Sequence, residues 1–207
     1  MSLATQSRAG HEGPVRGRPR SEAVERSIIE GVMKLLEDGV PLGELSIERI
    51  ARTAGVGKAT IYRRWSGKEE LFVDVLRAAE PPDPELPGTS MRDDLVVLLK
   101  SLRQRGLINR SSAMLHNVYA QMKSSPRLWN AYHTTVIAPR RRLGHDVLRR
   151  GQRNGELRED VDIDLVSDLF VGPMLVRALM RPEGDLPEDL AERIVDTVLE
   201  GLRPDHP

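Results

Sequence analysis

The eight residues PPDPELPG, Pro81 to Gly88, constrain this chain more than any other stretch. Prolines at 81, 82, 84 and 87 fix φ and remove backbone donors, so neither a helix nor a central strand passes through them. A chain of 207 residues is long enough for one or two compact units, and the division belongs here. On both sides apolar residues recur every three or four positions. Aromatics are only 3% of the chain, and Leu, Ala, Glu and Arg abound. These are good helix formers and mediocre strand formers, so the expected class is all-α.

Composition narrows the classes further. With 39% hydrophobic and 30% charged residues the bulk of the chain is globular, neither disordered nor fibrous. The apolar runs Leu95–Leu99 and Leu169–Val176 fall far below the ~20 residues of a membrane span. The N-terminus, MSLATQSRAGHEGPVRGRPR, carries arginines with no apolar core behind them, so it does not read as a secretory signal. The absence of cysteine excludes disulfides, zinc fingers and thiol nucleophiles. The expectation is a cytoplasmic protein without cofactor or metal. The net charge is zero, yet a sum over the chain hides where the charge sits.

The first 20 residues hold Arg8, Arg16, Arg18 and Arg20 against Glu12 alone and show no periodicity, which reads as a flexible basic arm. For Arg16, Arg18 and Arg20, insertion into a DNA minor groove and plain disorder both stay open. Residues 21–80 read as four helices with tight turns. Ser21 caps the first, with Val24, Ile28, Val32, Leu35 and Leu36 on one stripe and Gly39 as the stop. Ser46 caps the second, whose Ile47, Ile50, Ala51 and Ala54 stand at i, i+3, i+4 and i+7 before Gly55. A third is expected over Lys58–Trp65, and the fourth starts near Gly67 behind the capping-box pattern Ser66-x-x-Glu69. After a linker at 81–90, residues 91–207 read as a larger helical domain. Its helices are expected at Met91–Leu107, Ser111–Ser124, Pro126–Asn154 with a kink near Ala138 before Pro139, Asp162–Met180, and Pro187–Leu202.

Between Arg49 and Lys68 stand six basic residues, Arg49, Arg52, Lys58, Arg63, Arg64 and Lys68, and no acid. Such local concentrations of cations bind phosphate backbones whatever the charge of the rest. With Ile61 and Trp65 turned inward, the third helix points Ala59 and Arg63 outward, flanked by Thr60 and Tyr62. Lys58 begins the helix, where its cation and the free backbone N–H groups can meet a phosphate. A small Ala59 permits close approach, Thr60 offers a methyl or hydroxyl to base edges, and Arg63 can pair with guanine O6 and N7. Helix, glycine-containing turn and second short helix make a helix-turn-helix whose second helix reads the major groove. The structural alternative for a lone basic helix is a solvated face; turn and spacing together favour DNA.

The stretch ELSIERIARTAGVGKATIYRRWSGKEELFVDVL, Glu44–Leu76, closely resembles the DNA-binding domain of tetracycline-repressor (TetR) type regulators, and the preceding helix and the GRPR arm fit too. The resemblance covers about 60 residues and vanishes after Pro81. It implies phosphate contacts by Ser46, Lys58, Tyr62 and Lys68 and base contacts by Ala59, Thr60 and Arg63. It also implies a variable all-α second domain that binds a small molecule and dimerises. One departure stands out. Where the family often has serine capping the recognition helix, this chain has Gly57, so a backbone contact must replace a hydroxyl contact to phosphate.

In the second domain the helix Asp162–Met180 and the last helix carry wide apolar stripes. Each stripe can face its own domain on one flank and a second chain on the other, giving a homodimer through the last two helices; burial within one chain is the alternative. A palindromic operator asks for such a dimer, with recognition helices ~34 Å apart. An effector pocket would draw on Met114, Tyr119, Met122, Trp129, Tyr132, His133, Phe170 and Met174, although large apolar residues there also read as ordinary core. The basic run Arg140–Arg142 with Arg149 and Arg150 reads as a solvated helix face. The leading expectation is a ligand-responsive repressor that binds double-stranded operator DNA as a dimer. The alternatives are an effector-independent DNA-binding protein and an enzyme with an appended helix-turn-helix. For the latter, His116, His133 and His145–Asp146 lack metal-site spacing, and no phosphate loop or nucleophile elbow appears.

Overall fold

The computed structural model describes residues 18–112, 118, 121–122, 124–181 and 183–202. Among them the chain is all-α, with no strand. The N-terminal domain holds α1 (Arg18–Glu37), α2 (Ile47–Thr53), α3 (Lys58–Tyr62) and α4 (Lys68–Ala79). The C-terminal domain holds α5 (Met91–Ser111), α6 (Pro126–Tyr132), α7 (Ala138–Arg153), α8 (Ile163–Leu175) and α9 (Leu190–Glu200).

Capping chemistry sets most of these ends. Ser46, Ser90 and Asp162 accept hydrogen bonds from the first-turn N–H groups of α2, α5 and α8. Helix α1 begins at Arg18, three residues before the expected cap at Ser21, because Pro19 is tolerated in a first turn that needs no donor. Regular helix in α3 ends at Tyr62, and a hydrogen-bonded turn carries the chain to Trp65, whose N–H donates to the Ile61 carbonyl at 3.0 Å. The cap before α4 is displaced by one residue from the expected pair. Gly67 is the cap position, and Glu70, not Glu69, reaches back to the Ser66 N–H at 2.7 Å and its hydroxyl at 2.8 Å. The last helix starts at Leu190, so Pro187 lies outside its first turn.

Pro139 is met by a π turn over His133–Ile137 rather than a break, and α6 and α7 run on through it. The wider turn takes up the missing N–H and the ring's clash with the preceding turn. Pro173 inside α8, by contrast, comes before a π turn, Val176–Met180.

Two apolar cores result. The first gathers α1 to α4 around Ile28, Ile50, Ile61 and Leu71, and extends beyond Pro81 to Met122, Leu128, Tyr132 and Val136. The second joins α5, α7, α8 and α9 around Met91, Leu148, Phe170, Met174 and Val195. The helical stretch from Pro126 to Arg153 therefore serves both cores, its first half in one and Val147 and Leu148 in the other.

Candidate nucleic-acid interface

The turn between α2 and α3 is set by glycine. Gly55 takes φ +67°, a conformation costly for any residue with a Cβ, while the Val56 N–H donates to the Ala51 carbonyl at 2.9 Å and the Gly55 N–H to that of Arg52 at 3.3 Å. This closes α2 and throws the chain across its end. Helix α1 clasps the same corner. Ser27 Oγ donates to the Ala54 carbonyl at 3.2 Å, and a Cβ at Gly31 would stand 3.2 Å from the Ala54 Cβ, so a side chain there would push the corner outward by a few tenths of an ångström.

That corner fixes how α3 is presented. Ile61 is fully buried and Trp65 is 3% exposed, its indole Nε1 donating to Asp74 Oδ2 on α4 at 2.8 Å. With this pair inward, Ala59 and Arg63 are exposed, Tyr62 is 57% exposed, and Thr60 is half-buried at the edge of the face. Ser46 is exposed at the cap of α2 and Lys68 half-exposed at the start of α4. The residues expected to point outward from α3 are thus open to solvent, Thr60 in part.

Two members of the expected set are engaged within the protein. Arg64 is half-buried and donates to the Thr60 carbonyl at 3.3 Å and to the Ser21 carbonyl and hydroxyl, both at 3.2 Å, tying the end of α3 to α1. Lys58 Nζ lies 2.9 Å from Glu48 Oε1, an exposed ion pair that joins α3 to α2. The hydrogen bond from Lys58 holds the Glu48 carboxyl below the usual carboxylate range and raises the Lys58 ammonium in turn. In the sequence Glu48 is only the acidic flank of the basic window, and nothing there pairs it with Lys58. Residues Arg18 and Arg20 lie on the first turn of α1, whereas Arg8 and Arg16 fall outside the described residues.

A second charged assembly lies where the two domains meet. Glu80, which caps α4 and whose side chain is 5% exposed, lies 2.8 Å from Arg140 and 3.4 Å from Arg105 and accepts a hydrogen bond from the Tyr132 hydroxyl at 2.8 Å. Asp83 accepts from Arg105 at 2.6 Å and from Arg140 at 2.8 Å. Burial and the neighbouring Arg140 push the Arg105 guanidinium down; for Arg140 burial acts the same way, but Glu80 and Asp83 outweigh it and the net direction is up. The run Arg140–Arg150 is thus no mere solvated face. Arg141 pairs with Asp164 and Asp168 on α8, and Arg150 with the fully buried Asp94 on α5.

The residues expected around an effector are divided between the cores. Met122 and Tyr132 are buried in the first, Phe170 and Met174 in the second, while Trp129 and His133 are exposed with ring centres 6.4 Å apart; Met114 and Tyr119 lie outside the described residues. His145 is buried, with Nε2 3.4 Å from Asp164. No group of three or more metal-ligating residues occurs among the described residues, and none of their helices is long and apolar enough to cross a membrane.

A helix-turn-helix with a basic outward face, carried on a second helical domain, defines a DNA-binding transcriptional regulator. Residues 29–75 match the family model described as bacterial regulatory proteins, tetR family, and residues 87–198 match that of the tetracyclin repressor-like C-terminal domain. The chain belongs to the TetR family of transcriptional regulators. It is 31% identical over 166 residues to the uncharacterised HTH-type transcriptional regulator YdeS of Bacillus subtilis, covering 80% of this chain and 83% of that one. It is 27% identical over 186 residues to the DNA-binding transcriptional repressor TetR of Mycobacteroides abscessus, covering 89% and 94%. Among solved structures, the flavonoid-responsive regulator FrrA superposes with a TM-score of 0.65 at 21% identity, over 89% of this chain and all of that one.

Proposed function

We propose that this regulator grips a two-fold operator as a homodimer in the cytoplasm and that a small-molecule effector in the C-terminal domain changes that grip. The observation that carries the reading is the helical stretch 126–153. Its first half is packed into the core that carries α3, and its second half into the core of α5, α8 and α9. A displacement in the second domain therefore reaches α4 through shared side chains and through Tyr132, Arg105 and Arg140 on Glu80. A ligand shifts the balance only by binding the two arrangements unequally.

The dimer reading rests on α8 and its π turn. Leu165, Leu169, Leu175, Val176, Leu179 and Met180 face water, the last 78% exposed, whereas the buried residues Leu190, Ala191, Ile194, Val195 and Leu199 of α9 point into their own subunit. Such a continuous exposed apolar face marks an interface. The proposed DNA contacts are Ser46, Lys58, Tyr62 and Lys68 to phosphate and Ala59, Thr60 and Arg63 to bases, with Arg18 and Arg20 of the basic arm as further contacts. Domain limits at 21–80 and 91–207, with 81–90 between them, go with this reading. A flavonoid-responsive structural neighbour is in keeping with a small-molecule effector for this chain.

Enrichment of random duplex DNA by the purified chain, at about 150 mM salt because affinity depends steeply on it, tests the reading. A palindrome with half-sites one helical turn or a multiple apart is expected. An enriched single half-site bound by a monomer would overturn the dimer.

A further inference from the structure

An acid stands at the edge of the basic face. Glu48, exposed in the first turn of α2, accepts a hydrogen bond at 2.9 Å from Lys58, the first residue of α3, and its carboxyl, held below the ordinary range chiefly by that bond, stays ionised at neutral pH. Folding does not require the pair. Both side chains are more than half exposed, α2 is capped by Ser46, and α3 is fixed by Ile61 and Trp65. An acid in the first turn of α2 suits the helix dipole, but that does not account for its closure on the cation most directly beside the base-reading residues Ala59 and Thr60.

We propose that Glu48 is a built-in competitor of DNA phosphate for Lys58, and that it lowers affinity on every sequence so that occupancy is held only where Ala59, Thr60 and Arg63 add base contacts. The proposal rests on the placing of Lys58 at the DNA surface. When phosphate and carboxylate compete for one ammonium, whatever stabilises the pair in the free protein is subtracted from binding. Complexes on arbitrary sequence, which depend almost wholly on phosphate contacts, have nothing else to offset the loss.

The test uses the full chain and a mixed-sequence duplex of about three helical turns, with binding followed by fluorescence anisotropy from about 50 to 200 mM salt. Glu48→Gln is expected to tighten binding about three- to fivefold, the scale of an exposed ion pair. In a Lys58→Met background the same change should give less than half that gain on a logarithmic scale. Lys58→Met should also flatten the salt slope of the Glu48→Gln protein by about 0.9, one phosphate contact. Unchanged melting temperatures would show that all variants fold. No tightening by Glu48→Gln, or an equal gain in both backgrounds, overturns the proposal, the second outcome meaning that Glu48 merely repels phosphate at a distance. Failure of the underlying surface looks different, since the unaltered chain would then show no salt-sensitive binding at all.

Discussion

In the first core, Ile61 and Trp65 are sealed among the helices of the N-terminal domain, and the surface outside them offers charge and a few small side chains. In the second, α8 sinks Phe170 and Met174 inward but leaves Leu165, Leu169 and Leu179 in water. The first unit is complete in apolar terms and open to a charged partner; the second is open to an apolar one. An amphipathic stripe thus shows how much of a helix avoids water, while the width left over shows whether its own chain supplies the cover. The stretch 126–153 links the two, so neither unit should melt without the other.

The sharpest way to break that linkage is Phe170→Ala, expected to cost about 3–5 kcal/mol from the cavity left in the second core. Thermal unfolding should still show one transition, shifted as a whole; a separate, unshifted transition for the DNA-binding domain would mean that the cores are independent. Leu169→Glu places a charge on the exposed apolar face, and sedimentation should report a dimer weakened by at least about 2 kcal/mol, with the monomer still folded. On the charged side, Arg63→Ala should reduce operator affinity by about 1–3 kcal/mol and relax the base preference at one position of each half-site. A uniform loss across sequences would make Arg63 a phosphate contact instead. The smallest of these effects is expected from Tyr132→Phe, which removes the hydroxyl on Glu80 and should lower stability by about 1 kcal/mol in denaturant titrations. An unchanged denaturation midpoint would deny that this contact helps to join the domains.

Most local rules were legible, apart from the cap at Ser21, the Ser66–Glu69 pair and Pro187, and long-range partners were not. The cap at Ser46, the stop at Gly55, the inward pair Ile61 and Trp65 and the proline block all follow from residues a few positions apart, and the structure has them where the pattern asks. Arg64 looked like any other cation of the window because its partner, Ser21, is 43 residues away. Glu48 lay just outside that window, and nothing in the spacing joins it to Lys58 ten residues on. Similarly, Arg140 read as solvated until the fold brought Glu80 and Asp83 against it, the latter 57 residues distant. Periodicity marked the apolar residues of 126–153 but did not say that two different cores would divide them.

Gly57 gives the DNA face room for adjustment. Its backbone, at φ −77° and ψ 147°, already has the extended shape that a capping serine adopts, and a Cβ added there would meet no atom within 4 Å. The start of α3 thus has no side-chain cap, at a position with room for one. For a regulator whose usefulness depends on letting go, such a site would act as a dial: Gly57→Ser is expected to raise operator affinity in an equilibrium titration while the surrounding packing stays as it is.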